Sequence, residues 1–142
     1  MAGRNGSARW QGDLQGGSGT VKVGDGVLEG NYSAKSRFED GPGTNPEQLI
    51  AAAHAACFSM ALSNILSEAG NPPESVDTTA DVQLRFVDGA PTLTRIDLRT
   101  QGRVPGIDAA QFQKFAEDAK ANCPISRALA AVPEITLSAT LA

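Results

Sequence analysis

Polar and apolar residues alternate in short runs through the first third of the chain, and glycines separate the runs. Alternation with a period of two is typical of half-buried strands, and glycines between such runs are typical of turns. The runs SARWQGDL, SGTVKVGDG and GVLEGNYS therefore predict a meander of three strands. The polar segment that follows, KSRFEDGPGTN, predicts a loop of the kind that often carries functional residues.

A long helix is predicted next, from Pro46 to about Glu68. Asn45 or Thr44 can cap its first turn, proline suits the first helical position, and Gly70 follows its end. Its central part, AAAHAACFSMALSNIL, carries alanine or another apolar residue on most faces. A helix of that kind is surrounded by other structure instead of docking on one side only.

The second half of the chain predicts a hairpin, two helices and a last strand. VDTTADVQLRFV and PTLTRIDLRTQGRV alternate and are joined by DGA, which is typical of an antiparallel hairpin. Asp108 and Gln111 form a capping-box pattern before an amphipathic stripe, Pro124 suits the start of a short helix, and EITLSATLA is strand-like. The order βββ-α-ββ-αα-β, without repeats or linkers, predicts a single α+β domain over residues 1–142.

Composition narrows the classes of function. Lys and Arg number 12 and Asp and Glu 16, giving a net charge of −4 with no long run of either sign, so neither nucleic acid nor an anionic membrane is expected as the main partner. Two cysteines and one histidine are too few for a structural zinc site, and no Walker lysine follows the glycines, so no metal and no nucleotide cofactor are expected. The N-terminus has no apolar signal core, and no apolar run of about 18 residues is uninterrupted, which favours a cytoplasmic protein with reduced thiols.

The candidate chemistry lies in the two cysteines. Cys57 follows His54 by three residues in the long helix, so the two side chains are neighbours and could form a nucleophilic pair. A histidine in this position is more often structural, bonded to a backbone carbonyl or an interface partner, and a buried cysteine is more often inert. Cys123 caps the short helix, where unpaired N–H groups lower the pKa of a thiol, so local physics favours Cys123 as the reactive thiol. Cys57 would need a cation from elsewhere, and Arg37 in the polar loop is the best candidate.

Two stretches carry a resemblance to a known family. SRFEDGPGTNPEQLIAAAHAACFSMAL, followed much later by CPISRAL, strongly resembles the OsmC/Ohr family of thiol-dependent hydroperoxide reductases, and AAHAACFSMAL resembles its OsmC branch. The resemblance covers nearly the whole chain. It implies an OsmC-like fold in an intertwined homodimer, with sheets wrapped around central helices and active sites at the interface.

The resemblance also implies roles for particular residues. Cys57 corresponds to the peroxidatic thiolate, Cys123 to the thiol that resolves it as a disulfide, and Arg37 and Glu47 to the cation and its carboxylate anchor. The implied activity is the reduction of organic hydroperoxides, and more weakly of hydrogen peroxide, in oxidative or osmotic stress defence. A dithiol such as a lipoylated protein would regenerate the enzyme, and no cofactor is implied.

Other interpretations stay open on the residues alone. The chain could be a non-enzymatic stress or small-molecule-binding protein with inert thiols. It could also be a cysteine hydrolase that uses Cys57 and His54, although no recognisable nucleophile elbow surrounds Cys57. Phe38, Phe58 and Met60 could line an apolar pocket for an organic substrate, or they could be core residues.

Overall fold

The computed structural model describes all 142 residues of the chain. Backbone contacts group them into an N-terminal unit, residues 1–49, and a C-terminal unit, residues 50–142. The long helix begins in the first unit and continues in the second. The single-domain assignment stays a prediction.

The N-terminal unit contains the predicted meander. Strands β1 (Gly6–Gln11), β2 (Ser18–Val23) and β3 (Leu28–Tyr32) form an antiparallel sheet in that order. Gly19 pairs with Tyr32, and a Cβ at Gly19 would come within 2.4 Å of the Tyr32 ring. The ring can therefore cover the strand only where a glycine leaves room, and it packs against Trp10 with ring centroids 5.3 Å apart.

A short helix, α1 (Ala34–Phe38), occupies the start of the segment that was predicted to be a loop. Ser33 caps it: its hydroxyl accepts from the Ser36 N–H at 3.1 Å, and the Ser36 hydroxyl accepts from the Ser33 N–H at 2.8 Å. A helix of one turn has no periodic apolar pattern, so the hydrophobic pattern of the sequence did not reveal it. The capping box formed by Ser33 and Ser36 stabilises this short helix locally.

The long helix α2 runs from Pro46 to Glu68, as predicted. Asn45 is its cap, because the Asn45 side-chain oxygen accepts from the Gln48 N–H at 2.8 Å. Gly70 follows the helix with φ +83°, a left-handed conformation that glycine adopts without strain.

By length and composition alone α2 could cross a membrane, contrary to the sequence expectation, and only 22% of its most apolar window is buried within the chain. One stripe of the helix nevertheless lies in the core of the C-terminal unit: His54, Phe58, Leu62 and Leu66 are fully buried. The helix is therefore a core element of this fold with a second apolar face left uncovered.

The C-terminal unit is built on a second sheet of order β4-β5-β6. Strands β4 (Ser75–Val87) and β5 (Ala90–Arg103) form the predicted antiparallel hairpin, and β6 (Glu134–Leu141) runs parallel to β5. Asp88 and Gly89 connect the hairpin with φ values of 50° and 80°. Positive φ at both turn positions is typical of a type I′ turn, which suits the twist of paired strands.

Two helices connect β5 to β6 and close the core. Helix α3 (Ala109–Asn122) starts at the predicted Asp108 capping box, and α4 (Pro124–Ala128) starts at Cys123. The α3 residue Phe112 is fully buried, and a Cβ at Gly102 of β5 would come within 2.4 Å of its ring. The predicted order βββ-α-ββ-αα-β is confirmed, with α1 as one additional helix.

Candidate active site

An ion pair in the N-terminal unit joins two of the four residues singled out from the sequence. The Arg37 Nη2 atom lies 2.8 Å from Oε1 of Glu47, and Arg37 Nε lies 3.2 and 3.3 Å from the two carboxylate oxygens. The Arg37 side chain is 36% exposed, whereas that of Glu47 is 10% exposed. The carboxylate is thus largely withdrawn from water and held by the fork of the guanidinium, a geometry that an ammonium group cannot reproduce.

Hydrogen bonds of Ser36 and Asn45 hold the segments that carry Arg37 and Glu47 together. The Ser36 hydroxyl donates to the Thr44 carbonyl at 2.7 Å, and the Asn45 amide donates to the Ser36 carbonyl at 2.9 Å. Gly43 lies between them at φ +111°, where a Cβ would come within 2.5 Å of the Asn31 carbonyl oxygen. Because Asn45 also caps α2, these hydrogen bonds join α1 to the first turn of α2, which carries Glu47.

The two thiols are close to each other in the C-terminal unit. Cys57 lies on α2 and is half-buried, and Cys123 lies at the start of α4 and is fully buried. Cys57 packs against the core cluster that includes Cys123, and the two thiols share a hydrogen bond. Both are free thiols in this structure.

The surroundings shift the pKa values of the two thiols in opposite directions. Burial raises the pKa of Cys57, and its hydrogen bond with Cys123 raises that pKa further. Burial by itself would raise the pKa of Cys123 too, but hydrogen bonds from the Cys57 thiol, from the Ser126 N–H and hydroxyl and from the Ile125 N–H outweigh it and lower the pKa. Within one chain Cys123 is therefore the stronger acid, and Cys57 needs a positive charge to ionise at neutral pH.

The single histidine has a partner that the sequence argument missed. His54 Nε2 lies 2.6 Å from the Ser126 hydroxyl oxygen, and His54 Nδ1 is enclosed without a partner. Burial lowers the pKa of His54, so the ring is neutral at neutral pH. The ring nitrogen is thus engaged by Ser126 and not by Cys57, which removes support for a Cys–His hydrolase pair. Only the spacing of CPIS, a cap residue and its third helical position, could have pointed to Ser126.

The three apolar residues considered as pocket walls have different environments. Phe58 is fully buried and belongs to the core. Met60 is 75% exposed and Phe38 is 41% exposed, with the Phe38 ring centroid 5.4 Å from the Arg37 guanidinium carbon. Phe38 thus lies against the guanidinium of a candidate site residue, whereas Phe58 belongs to the core cluster that contains Cys123.

Comparisons with known proteins agree on one family. Residues 39–138 match the protein family described as OsmC-like protein. The chain is 53% identical to the peroxiredoxin OsmC of Escherichia coli over 135 residues, which cover 94% of this chain and 93% of the relative. It is 34% identical to the organic hydroperoxide resistance protein of Xanthomonas axonopodis pv. citri over 99 residues, covering 69% and 68% of the two chains.

Solved structures show the same fold. The organic hydroperoxide resistance protein OsmC of Legionella pneumophila superposes with a TM-score of 0.74 at 25% identity, covering 99% of each chain. The organic hydroperoxide resistance protein OhrB of Bacillus subtilis superposes with a TM-score of 0.72 at 25% identity, covering 97% of this chain and 98% of that one.

Proposed function

Since the chain belongs to the OsmC-like family of hydroperoxide-related redox proteins, we propose that it is a thiol-dependent peroxidase that reduces organic hydroperoxides through Cys57 and Cys123. The family membership confirms the resemblance, the fold class and the enzyme class expected from the sequence. The observation that carries the proposal is the hydrogen-bonded pair of free thiols in a chain so similar to a peroxiredoxin.

The first step uses the Cys57 thiolate. Its sulfur attacks the terminal oxygen of the hydroperoxide ROOH, the O–O bond breaks, and the leaving alkoxide takes up a proton to become the alcohol. Cys57 becomes a sulfenic acid. Arg37 is the proposed source of positive charge for the thiolate and for the leaving oxygen, and Glu47 holds its guanidinium in place.

A second copy of the chain is the proposed source of that guanidinium. Glu47 and Cys57 are ten residues apart on one continuous helix, which corresponds to about 15 Å of axial rise. An Arg37 anchored on Glu47 is therefore assigned to the Cys57 of the other copy in a homodimer. The raised pKa of Cys57 within one chain fits a site that is completed on association.

The uncovered face of α2 supports the homodimer. Opposite its buried stripe the helix exposes small and apolar side chains, including Ala52, Ala56 and Met60. An apolar stripe on a long helix is self-complementary about a two-fold axis, because the same patch on a second copy can cover it.

The second step protects the oxidised thiol. Cys123 attacks the Cys57 sulfenic acid, a disulfide forms and water leaves, which prevents further oxidation of Cys57. An external dithiol such as a lipoylated protein then reduces the disulfide by thiol exchange. We place this cycle in the cytoplasm, where other thiols are kept reduced, and assign it to oxidative stress defence.

The test is a peroxidase assay on the purified chain. Consumption of tert-butyl and cumene hydroperoxide is measured against that of hydrogen peroxide, first with dithiothreitol and then with a lipoylated protein as electron donor. Faster consumption of the organic hydroperoxides, abolished in Cys57→Ser, is expected. No consumption by the parent protein would favour the alternative of a non-enzymatic stress or binding protein with inert thiols.

A further inference from the structure

Three buried polar side chains of the C-terminal unit lie next to one another, and the proposed cycle uses only one of them, Cys123. His54 on α2 is fully buried, Ser126 on α4 is buried, and Cys123 at the start of α4 is fully buried. His54 Nε2 and the Ser126 hydroxyl oxygen are 2.6 Å apart. Ser126 is the third residue after the Cys123 cap in the same short helix, and its N–H and hydroxyl lower the pKa of that thiol. These three side chains thus connect a neutral imidazole to the resolving thiol.

The spacing of Cys123 and Ser126 explains why their side chains meet. Ser126 is the third residue of α4 counted from the Cys123 cap, the relation that forms capping boxes at the starts of α1 and α3. In those two helices the third side chain accepts from the N–H of the cap residue. The Cys123 N–H instead donates to the Ala119 carbonyl at 2.8 Å. The Ser126 hydroxyl is therefore not needed by the backbone and is free to bond to the imidazole and the thiol.

The tautomer of His54 decides where the hydroxyl hydrogen points. A proton on Nδ1 would leave a buried N–H without an acceptor, since Nδ1 has no partner, and it would draw the Ser126 hydrogen toward Nε2. A proton on Nε2 leaves only a lone pair unsatisfied and donates to the Ser126 oxygen. Buried N–H groups without acceptors are the rarer case, so the Nε2–H tautomer is favoured. The single hydrogen of Ser126 is then available to Cys123.

We propose that Ser126 donates a hydrogen bond to the Cys123 thiolate that attacks the Cys57 sulfenic acid, and that His54 is the positioning residue that aims the Ser126 hydroxyl. The proposal rests on the peroxidase function above and concerns its second step. In that step the Cys57–Cys123 S–S bond forms, the S–O bond of the sulfenic acid breaks, and the departing hydroxide takes up a proton to become water. The Cys123 sulfur is oxidised and the sulfenic sulfur is reduced, so no further reactant is required.

Holding Cys123 as a thiolate speeds closure because only the thiolate attacks. A thiol of lower pKa is a weaker nucleophile, and its nucleophilicity falls by up to about half a power of ten for each unit by which the pKa falls. In the opposite direction, a thiol whose pKa lies above ambient pH loses a full power of ten in thiolate concentration for each unit by which the pKa rises. For a thiol whose pKa lies above ambient pH, removing the hydroxyl therefore costs more in thiolate than it returns in nucleophilicity.

The test separates the two steps in the full-length protein. Quenched flow with one equivalent of tert-butyl hydroperoxide follows peroxide loss as the first step and loss of the second thiol as disulfide closure. The variants are Ser126→Ala and His54→Phe, with Ser126→Thr and His54→Gln as conservative partners that keep a hydroxyl or an N–H donor. The matched control is Ser59→Ala, which removes a serine hydroxyl on α2 that donates to Thr78 at 2.8 Å.

Ser126→Ala and His54→Phe are expected to slow closure about three- to tenfold, because losing one hydrogen bond to a charged group costs about one to two powers of ten in thiolate and the more nucleophilic, less acidic thiol returns about half of that. Dimedone should then trap more Cys57 sulfenic acid, the conservative partners should restore most of the rate, and the control should close like the parent. Parental closure in both Ser126→Ala and His54→Phe would overturn the proposal, as would a loss that neither conservative partner restores.

A second measurement does not depend on activity. In the Cys57→Ser protein, the ultraviolet absorbance of the thiolate reports the ionisation of Cys123, and adding Ser126→Ala should move its midpoint to higher pH. An unmoved midpoint would overturn the hydrogen bond. If the parent reduced no hydroperoxide at all, the proposed function would fail, and this titration would still decide the role of Ser126.

Discussion

Replacing Arg37 with lysine tests the proposed cation with the least damage to the fold. Glu47 is mostly withdrawn from water, so removing the positive charge outright would leave a poorly solvated carboxylate unpaired. Lysine keeps the charge. It cannot keep the fork, because the guanidinium contacts the carboxylate through Nη2 and Nε together and a single ammonium nitrogen replaces only part of that geometry.

The expected loss follows from the contacts. A hydrogen bond between charged groups contributes about 1.5–3 kcal/mol, which corresponds to roughly 10- to 100-fold in rate. Because the Arg37 side chain is 36% exposed, solvent screens part of this interaction, and we expect the lower end. Arg37→Lys should therefore lose about nine-tenths of kcat/KM for tert-butyl hydroperoxide while the fold survives.

The assay is steady-state hydroperoxide consumption with dithiothreitol in excess, alongside thermal unfolding monitored by circular dichroism. Arg85→Lys is the matched control, since Arg85 is exposed on β4 and donates to the Leu84 carbonyl in place of any carboxylate. Near-parental kcat/KM in Arg37→Lys would refute the reasoning and would mean that another cation serves Cys57.

Three further outcomes are expected. Cys57→Ser should abolish peroxide consumption, whereas Cys123→Ser should react once and leave a sulfenic acid that dimedone traps on Cys57; label on Cys123 in the first variant together with none on Cys57 in the second would reverse their roles. The parent should have the mass of a homodimer by light scattering and Met60→Glu should shift it toward one chain with loss of activity, so a fully active single chain in the parent would contradict the dimer. Phe112→Ala should lower the free energy of unfolding by about 3–5 kcal/mol in urea denaturation, because the ring is fully buried, and a loss below about 1 kcal/mol would contradict that packing.

Most of the fold was predictable because its signals are local. The caps of α2 and α3 are short hydrogen-bonding patterns around Asn45 and Asp108, and the hairpin turn is the dipeptide Asp88–Gly89. Each of these depends on neighbouring residues only, so the sequence displays it directly. Helix α1 was missed for the complementary reason, since a single turn shows no period.

The candidate site was found from the sequence only as a set of residue types. The motifs around Cys57 and Cys123 indicated the family and its four site residues, and the comparisons confirm that family. The argument from the helix cap also predicted Cys123 as the stronger acid, and the direction of both pKa shifts agrees with it. The order in which the two thiols react stays a prediction.

The partner of His54 was decided by the tertiary structure alone. Ser126 lies 72 residues away in sequence, and nothing near His54 in the chain identifies it. The same holds for the uncovered face of α2, because the helix is apolar all round and only packing shows which stripe the chain covers and which it leaves exposed. Caps and turns are stabilised by interactions between residues that are neighbours in sequence. Hydrogen bonds and burial between distant segments stabilise the protein only after those segments have met in the folded chain.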